Sequence, residues 1–199
     1  WFALSSGTSS SRSKFIPMNR DNLNLCHYKG MLIMLSHYVR TFPKSRLFTG
    51  KSLTLGGNRH IDKNVDSNCC YGDLSAFLII NTPLLARLVT TPGKKIGLIP
   101  DFEAKIEQVS RLIARQKLTS FSGVPSWNLI LMRKVLAETG KKNLHELWPH
   151  MELFMHGGVC FEPYRVHYRE LFPSPDMHYM ETYNASEGFF AFQTDLNDP

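Results

Sequence analysis

Ten consecutive residues, Ser5-Ser6-Gly7-Thr8-Ser9-Ser10-Ser11-Arg12-Ser13-Lys14, carry no apolar side chain and lie between two apolar runs, Trp1–Leu4 and Phe15–Ile16. Such a stretch offers hydroxyl donors, free backbone N–H groups around Gly7 and two fixed cations. Those are the groups a polyphosphate needs, since each phosphoryl oxygen takes several donors and a compensating charge. A flexible Ser-rich linker has a similar composition. Against a linker stand the two buried-looking flanks and the ending Lys14-Phe15-Ile16-Pro17. The Walker pattern G-x-x-x-x-G-K-[ST] is not met, because no second glycine precedes Lys14 and Phe15 follows it. An S-x-x-K reading at Ser11–Lys14 is possible, but in so serine-rich a stretch it arises easily by accident.

Two further stretches join small or aromatic residues to polar ones. In Met155-His156-Gly157-Gly158-Val159, paired glycines follow an apolar run directly. Glycine there lets a flat ring or a phosphate approach the backbone, although a plain tight turn has the same composition. In Glu181-Thr182-Tyr183-Asn184-Ala185-Ser186-Glu187-Gly188, an aromatic ring, a hydroxyl and a carboxylate fall within five residues. Together they could stack a base, bond a phosphate and hold Mg²⁺. Alone, this second pattern is common. His156, beside the glycines, is the one histidine of the eight whose position invites attention. Phe121, Trp127 and Phe161 could line an apolar substrate pocket, but aromatic residues in such runs are more often core.

The elements that must position these residues follow from periodicity. Asn19 or Asp21 can cap a helix running to about Thr41, with Pro43 as the stop. Lys51–Leu55 alternates into Gly56-Gly57-Asn58, a strand and turn. Gly72–Asn81 and Leu84–Val89 read as two short buried helices divided by Pro83. Phe102, Ile106, Val109, Leu112 and Ile113 mark an amphipathic helix over about 102–117. Leu118–Ser122 is a strand, and a helix begins at Pro125 and stops at Gly140. Met151–Met155 is a strand, Pro163–Leu171 a helix and His178–Tyr183 a strand. Strand–helix alternation at these spacings implies right-handed crossovers and a parallel sheet covered by helices, an α/β fold. Ligands of such sheets gather beyond the carboxyl ends of the strands, where the two glycine- and tyrosine-bearing stretches fall.

Ser5-Ser6-Gly7-Thr8-Ser9 with Lys14, followed far downstream by Tyr183-x-x-Ser186-Glu187, resembles the auxin-responsive (Gretchen Hagen) acyl-acid amido synthetase family of the acyl-adenylate-forming superfamily. That family usually has a second glycine where this chain has Ser11. Gly123-Val124-Pro125-Ser126-Trp127 sits where the superfamily places a Val-Pro turn beside the acyl pocket. The resemblance covers essentially the whole chain. It implies that Ser5, Ser6, Gly7, Thr8 and Ser9 bind the β- and γ-phosphates of ATP with Lys14 nearby. It implies also that Gly157 and Gly158 flank the adenine, that Tyr183 stacks on it, that Ser186 touches the α-phosphate and that Glu187 holds Mg²⁺. The catalytic groups would be Glu187 and Lys14. The implied reaction activates a carboxylic acid as its acyl-adenylate and then forms an amide with an amino acid or other amine. Transfer to coenzyme A is the close alternative, and a catalytically inactive nucleotide-binding fragment is another.

The family's ribose-gripping Tyr-Arg-x-Gly-Asp is not found in residues 1–199, and the small mobile C-terminal domain has no counterpart. On this reading residues 1–199 are the ATP-binding portion of one adenylate-forming domain, cut at both ends, inactive alone but part of a ligase. The totals agree. With 199 residues and 43% apolar content the chain can bury a substantial core. A net charge of +6 raises nucleic acid as a partner, yet the basic residues are dispersed with no basic-aromatic stripe, which argues against it. No stretch reaches the ~18 apolar residues that span a bilayer, so no membrane partner is expected. The chain opens on Trp1 without the basic segment of a signal peptide. Four cysteines, Cys26, Cys69, Cys70 and Cys160, form neither CxxC nor a zinc spacing, which fits reduced thiols in the cytoplasm.

Overall fold

Leu153, Phe154 and Met155 are consecutive and all buried, so the strand that carries them must be covered on both faces. Successive side chains of a strand point to opposite sides. The computed structural model, which describes residues 1–5, 14–61 and 70–196, supplies those two covers. The elements in chain order are β1 (Phe2–Ser5), β2 (Lys14–Pro17), a π-helix (Asn22–Tyr28) running into α1 (Lys29–Thr41), β3 (Lys51–Thr54), β4 (Arg59–Ile61) and β5 (Cys70–Gly72). Then come α2 (Leu74–Asn81), β6 (Thr90–Thr91), α3 (Lys94–Gly97), α4 (Phe102–Ile113), β7 (Leu118–Gly123) and α5 (Pro125–Thr139). The last are β8 (Leu153–His156), α6 (Glu162–Leu171), β9 (His178–Ala185) and β10 (Gly188–Phe192).

The main sheet has the order β10-β9-β8-β7-β3-β6. From β9 to β6 every neighbour is parallel, and only β10 runs antiparallel, beside β9. The parallel trio expected at 118–122, 151–155 and 178–183 is therefore present. One face carries Leu53, Phe121 and Phe154 against Ile106, Val109 and Ile113 of α4, Met132 and Val135 of α5, and Tyr168 of α6. The opposite face packs Leu153, Met155 and Met180 on Met34 and Tyr38 of α1.

Local signals explain the boundaries. Asp101 Oδ1 accepts from the Ala104 N–H at 2.7 Å and starts α4. Pro125 occupies the first turn of α5, and Gly140 ends it in the left-handed region at φ +64°. Asn19 Oδ1 accepts from Asn22 N–H at 2.7 Å, so the expected cap is used. The helix it opens is π-helical over Asn22–Tyr28 before continuing as α-helix.

A second sheet, of order β2-β1-β5-β4, was not expected from the sequence. Its strands are three or four residues long, too short for alternation to register. Ala3 of β1 is fully buried with Met18, Leu23, Cys70 and Phe77, and the Trp1 ring stacks on Phe77 with centroids 6.2 Å apart. The first apolar run thus lies against the body of the fold. Leu84–Val89 is a correction: only Ala86–Leu88 forms a single 3₁₀ turn, and Leu84, Leu85 and Leu88 are 70% or more exposed. Composition makes a segment apolar, but burial requires a facing element, and this one runs along the outside toward edge strand β6. Among the described residues, no helix is long and apolar enough to cross a membrane.

Candidate active site

The carboxyl ends of β7 and β8 lie level, with Gly123 opposite His156, and His156 stands opposite Glu181 of β9, which runs on past them to Ala185. Glycine is required at two points along this edge. At Gly123 (φ +132°) a Cβ would lie 2.8 Å from the Leu55 carbonyl oxygen, and at Gly157 it would lie 2.3 Å from that of Thr182. The Thr182 hydroxyl donates to the His156 carbonyl at 3.0 Å and fastens β9 to the glycine turn. Gly158 adopts φ +84°, and a Cβ there would meet nothing nearer than Val124, at 3.6 Å. The space beside it is a cleft of about 600 Å³ lined by Gly158, Val159, Thr182, Tyr183 and Phe192. Tyr183 is 63% exposed, its ring 5.0 Å from that of Phe190. Gly158 and Tyr183 are thus brought to one cleft.

Ala185 and Gly188 pair across the β9–β10 hairpin, so Ser186 and Glu187 form its turn. Ser186 is buried and donates its hydroxyl to the Leu4 carbonyl at 3.2 Å. Leu4 belongs to β1, whose last residue Ser5 pairs with Lys14 at the start of β2. Ser5 and Lys14 therefore stand side by side at the base of the polar stretch, against the Ser186–Glu187 turn. Ser6, Gly7, Thr8 and Ser9 lie outside the described residues. Glu187 is exposed, and among the described residues no group of three His, Cys, Asp or Glu could hold a metal ion by itself.

His156 is buried, stacked on Phe161 at 4.1 Å, with no hydrogen-bond partner for Nδ1 among the described residues. Burial, aided by the nearby Arg165 guanidinium, pushes its pKa down to about 4. It is neutral at pH 7 and serves packing beneath the glycines. Phe121 and Phe161 belong to the core, Phe121 stacked on Phe154 at 4.2 Å, and Trp127 packs on Phe102.

Two polar residues escaped the sequence reading. Lys105 is buried on α4, and its ammonium donates to the carbonyls of Gly56 and Gly57 at 3.0 and 3.1 Å and to Asn58 Oδ1 at 2.7 Å. It fixes the turn that leaves β3 beside Gly123. His27, fully buried in the π-helix, has Nδ1 2.8 Å from Asn184 Oδ1, between Tyr183 and Ser186. Each interrupts an apolar stripe: Lys105 among Phe102, Ile106 and Val109, and His27 among Leu23, Met34 and Tyr38. A polar residue on a buried stripe was the available signal.

Residues 1–177 match the GH3 family N-terminal domain. No curated protein sequence matches the chain. Among solved structures it is similar to the AtGH3.15 acyl acid amido synthetase in complex with 2,4-DB, with a TM-score of 0.70 and 12% identity over 98% of this chain and 42% of that one. A second structure of GH3.15 acyl acid amido synthetase gives a TM-score of 0.65 at 11% identity, with the same coverage of both chains. ATP-bound MatB from Rhodopseudomonas palustris is similar at a TM-score of 0.50 and 15% identity, over 98% of this chain and 31% of that one. The chain spans less than half the length of these proteins. The structural likeness speaks for the fold, which is that of the N-terminal domain of adenylate-forming enzymes, and the match over residues 1–177 places this chain in the GH3 family.

Proposed function

We propose that residues 1–199 are the ATP-binding portion of an adenylate-forming domain, and that the full-length protein joins a carboxylic acid to an amino acid or other amine. The observation that carries this reading is the Ser186–Leu4 hydrogen bond. It sets Ser5 and Lys14, the two ends of the serine-rich stretch, against the turn that follows Tyr183, which supports a reading in which phosphate donors and a stacking ring serve one ligand. Gly158 and Tyr183 bound a slot suited to a purine, with Gly157 holding the backbone against β9. Base stacking on an exposed aromatic is worth about 1–3 kcal/mol. Ser5, Ser6, Gly7, Thr8 and Ser9 would bind the β- and γ-phosphates beside Lys14, and Ser186 would reach the α-phosphate.

The substrate carboxylate attacks the α-phosphorus as pyrophosphate leaves, giving an acyl-adenylate. The amine then attacks the acyl carbon and AMP departs. The protein supplies no nucleophile; it aligns two anions and offsets their charge. Glu187, exposed on the turn, would hold Mg²⁺ through its carboxylate. When bound, that ion would offset charge building on the departing pyrophosphate. Pyrophosphate exchange from ATP by the full-length protein, run across a panel of carboxylic acids, tests the reading. Acid-dependent exchange is expected, and its absence with every acid would overturn it.

A further inference from the structure

The turn that carries Ser186 and Glu187 is gripped from outside the sheet by two consecutive residues of the π-helix. Asn184 of β9 and Phe189 of β10 are direct partners across the hairpin, one rung below the Ala185–Gly188 pair. Cys26 Sγ accepts from the Phe189 N–H at 3.2 Å, and His27 Nδ1–H donates to Asn184 Oδ1 at 2.8 Å. One rung of the hairpin is thus held at both ends. The packing beside it admits little slack. A Cβ at Gly188 would meet Cys26 Sγ at 3.2 Å, and one at Gly30 would meet the Phe189 ring at 2.6 Å. A π-helical turn in an α-helix is rare and is frequently found at functional sites. Here it continues directly into α1, whose Met34 and Tyr38 anchor on the sheet.

The His27 bond differs from a core contact. The ring is fully buried, and its Nε2 has no partner among the described residues. Burying a polar ring with one nitrogen unsatisfied is costly where a leucine would pack without penalty. The cost is understandable if the bond orients Asn184. Its neighbour Tyr183 points into the cleft, and Ser186 and Glu187 follow within three residues.

We propose that His27 is a positioning residue for nucleotide binding, holding the Tyr183–Glu187 turn through Asn184. This rests on the ATP reading above. His27→Ala in the full-length protein should raise the KM for ATP in pyrophosphate exchange about tenfold while leaving the KM for the carboxylic acid unchanged, the loss of one well-placed buried hydrogen bond. His27→Asn keeps an N–H donor near the Nδ1 position and should restore most of the affinity. His27→Leu fills the space without a donor, keeps the chain folded, and should behave as the alanine variant does. An unchanged KM for ATP in His27→Ala, or equal values for the Asn and Leu variants, would overturn the proposal. Tyr183→Ala, measured alongside, separates the two levels. If it too leaves the KM for ATP unchanged, the nucleotide site itself has been misassigned. If it raises that KM while His27→Ala does not, only the positioning role is lost.

Discussion

Ser186 and Leu4 lie 182 positions apart in the chain, yet the serine hydroxyl donates to the leucine carbonyl at 3.2 Å. That bond joins the small sheet to the β9–β10 turn of the large one, bringing Ser5 and Lys14 up to Ser186 and Glu187. Replacing Ser186 with alanine removes the donor and leaves the Leu4 carbonyl unpaired. We expect about tenfold weaker Mg-ATP binding with a stability loss of about 1 kcal/mol. Titration calorimetry and urea unfolding measure the two, and a stability loss without any loss of affinity would reduce the bond to a structural role.

Glu187→Gln keeps the size of the side chain and removes its charge. If the carboxylate serves Mg²⁺, pyrophosphate exchange should fall by about two orders of magnitude. Nucleotide affinity measured in EDTA should stay unchanged, because Glu187 is exposed and supports no core contact. Exchange at the unmodified rate would show that the turn needs no charge there.

Acid should loosen the fold through its buried and half-buried histidines. Burial lowers the pKa of His27, His156 and His178. The unfolded chain therefore takes up protons first as pH falls, and stability drops from about pH 6.5 downward. For His156, whose pKa falls to about 4, the loss between pH 7 and pH 5 amounts to about 2 kcal/mol. Urea midpoints at the two pH values test this. His156→Phe, which preserves stacking on Phe161, should shrink the difference, and an unaltered pH dependence in that variant would assign the effect elsewhere.

The 199-residue chain should bind Mg-ATP weakly, with a dissociation constant of about a millimolar, near −4 kcal/mol. Tyr183 is 63% exposed, so water screens the charges along this edge, and the ribose-gripping Tyr-Arg-x-Gly-Asp is not in the sequence. No amide formation is expected from it. Calorimetry on the purified chain is the measurement; micromolar binding would mean that the groups present suffice for the nucleotide.

Long, periodic segments were legible in the sequence. The stripe from Phe102 to Ile113, the Pro125–Gly140 helix and the three parallel strands all stand where periodicity put them, because their patterns run through two or more turns or are bounded by Pro and Gly. Elements of three or four residues were not legible: β2, β4 and β5 owe their form to one another and to Phe77 beneath them. The meeting of Gly158 with Tyr183 followed from strand order alone. The Cys26–Phe189 and His27–Asn184 contacts did not, since they depend on the extra residue per turn of a π-helix, which leaves no periodic trace in seven residues.

The same Ser186–Leu4 contact has a consequence for how the chain reaches its final form. Loop closure over 182 residues is slow compared with pairing a hairpin. During synthesis β1 is made long before the turn it must meet, while β7, β8 and β9 join through short crossovers. Ser5 and Lys14 can gain their facing turn only once the large sheet has been built out to its β9–β10 edge. Nucleotide binding would then arise in the last step of assembly, and a ligand present during refolding should slow unfolding without hastening the folding of the sheet.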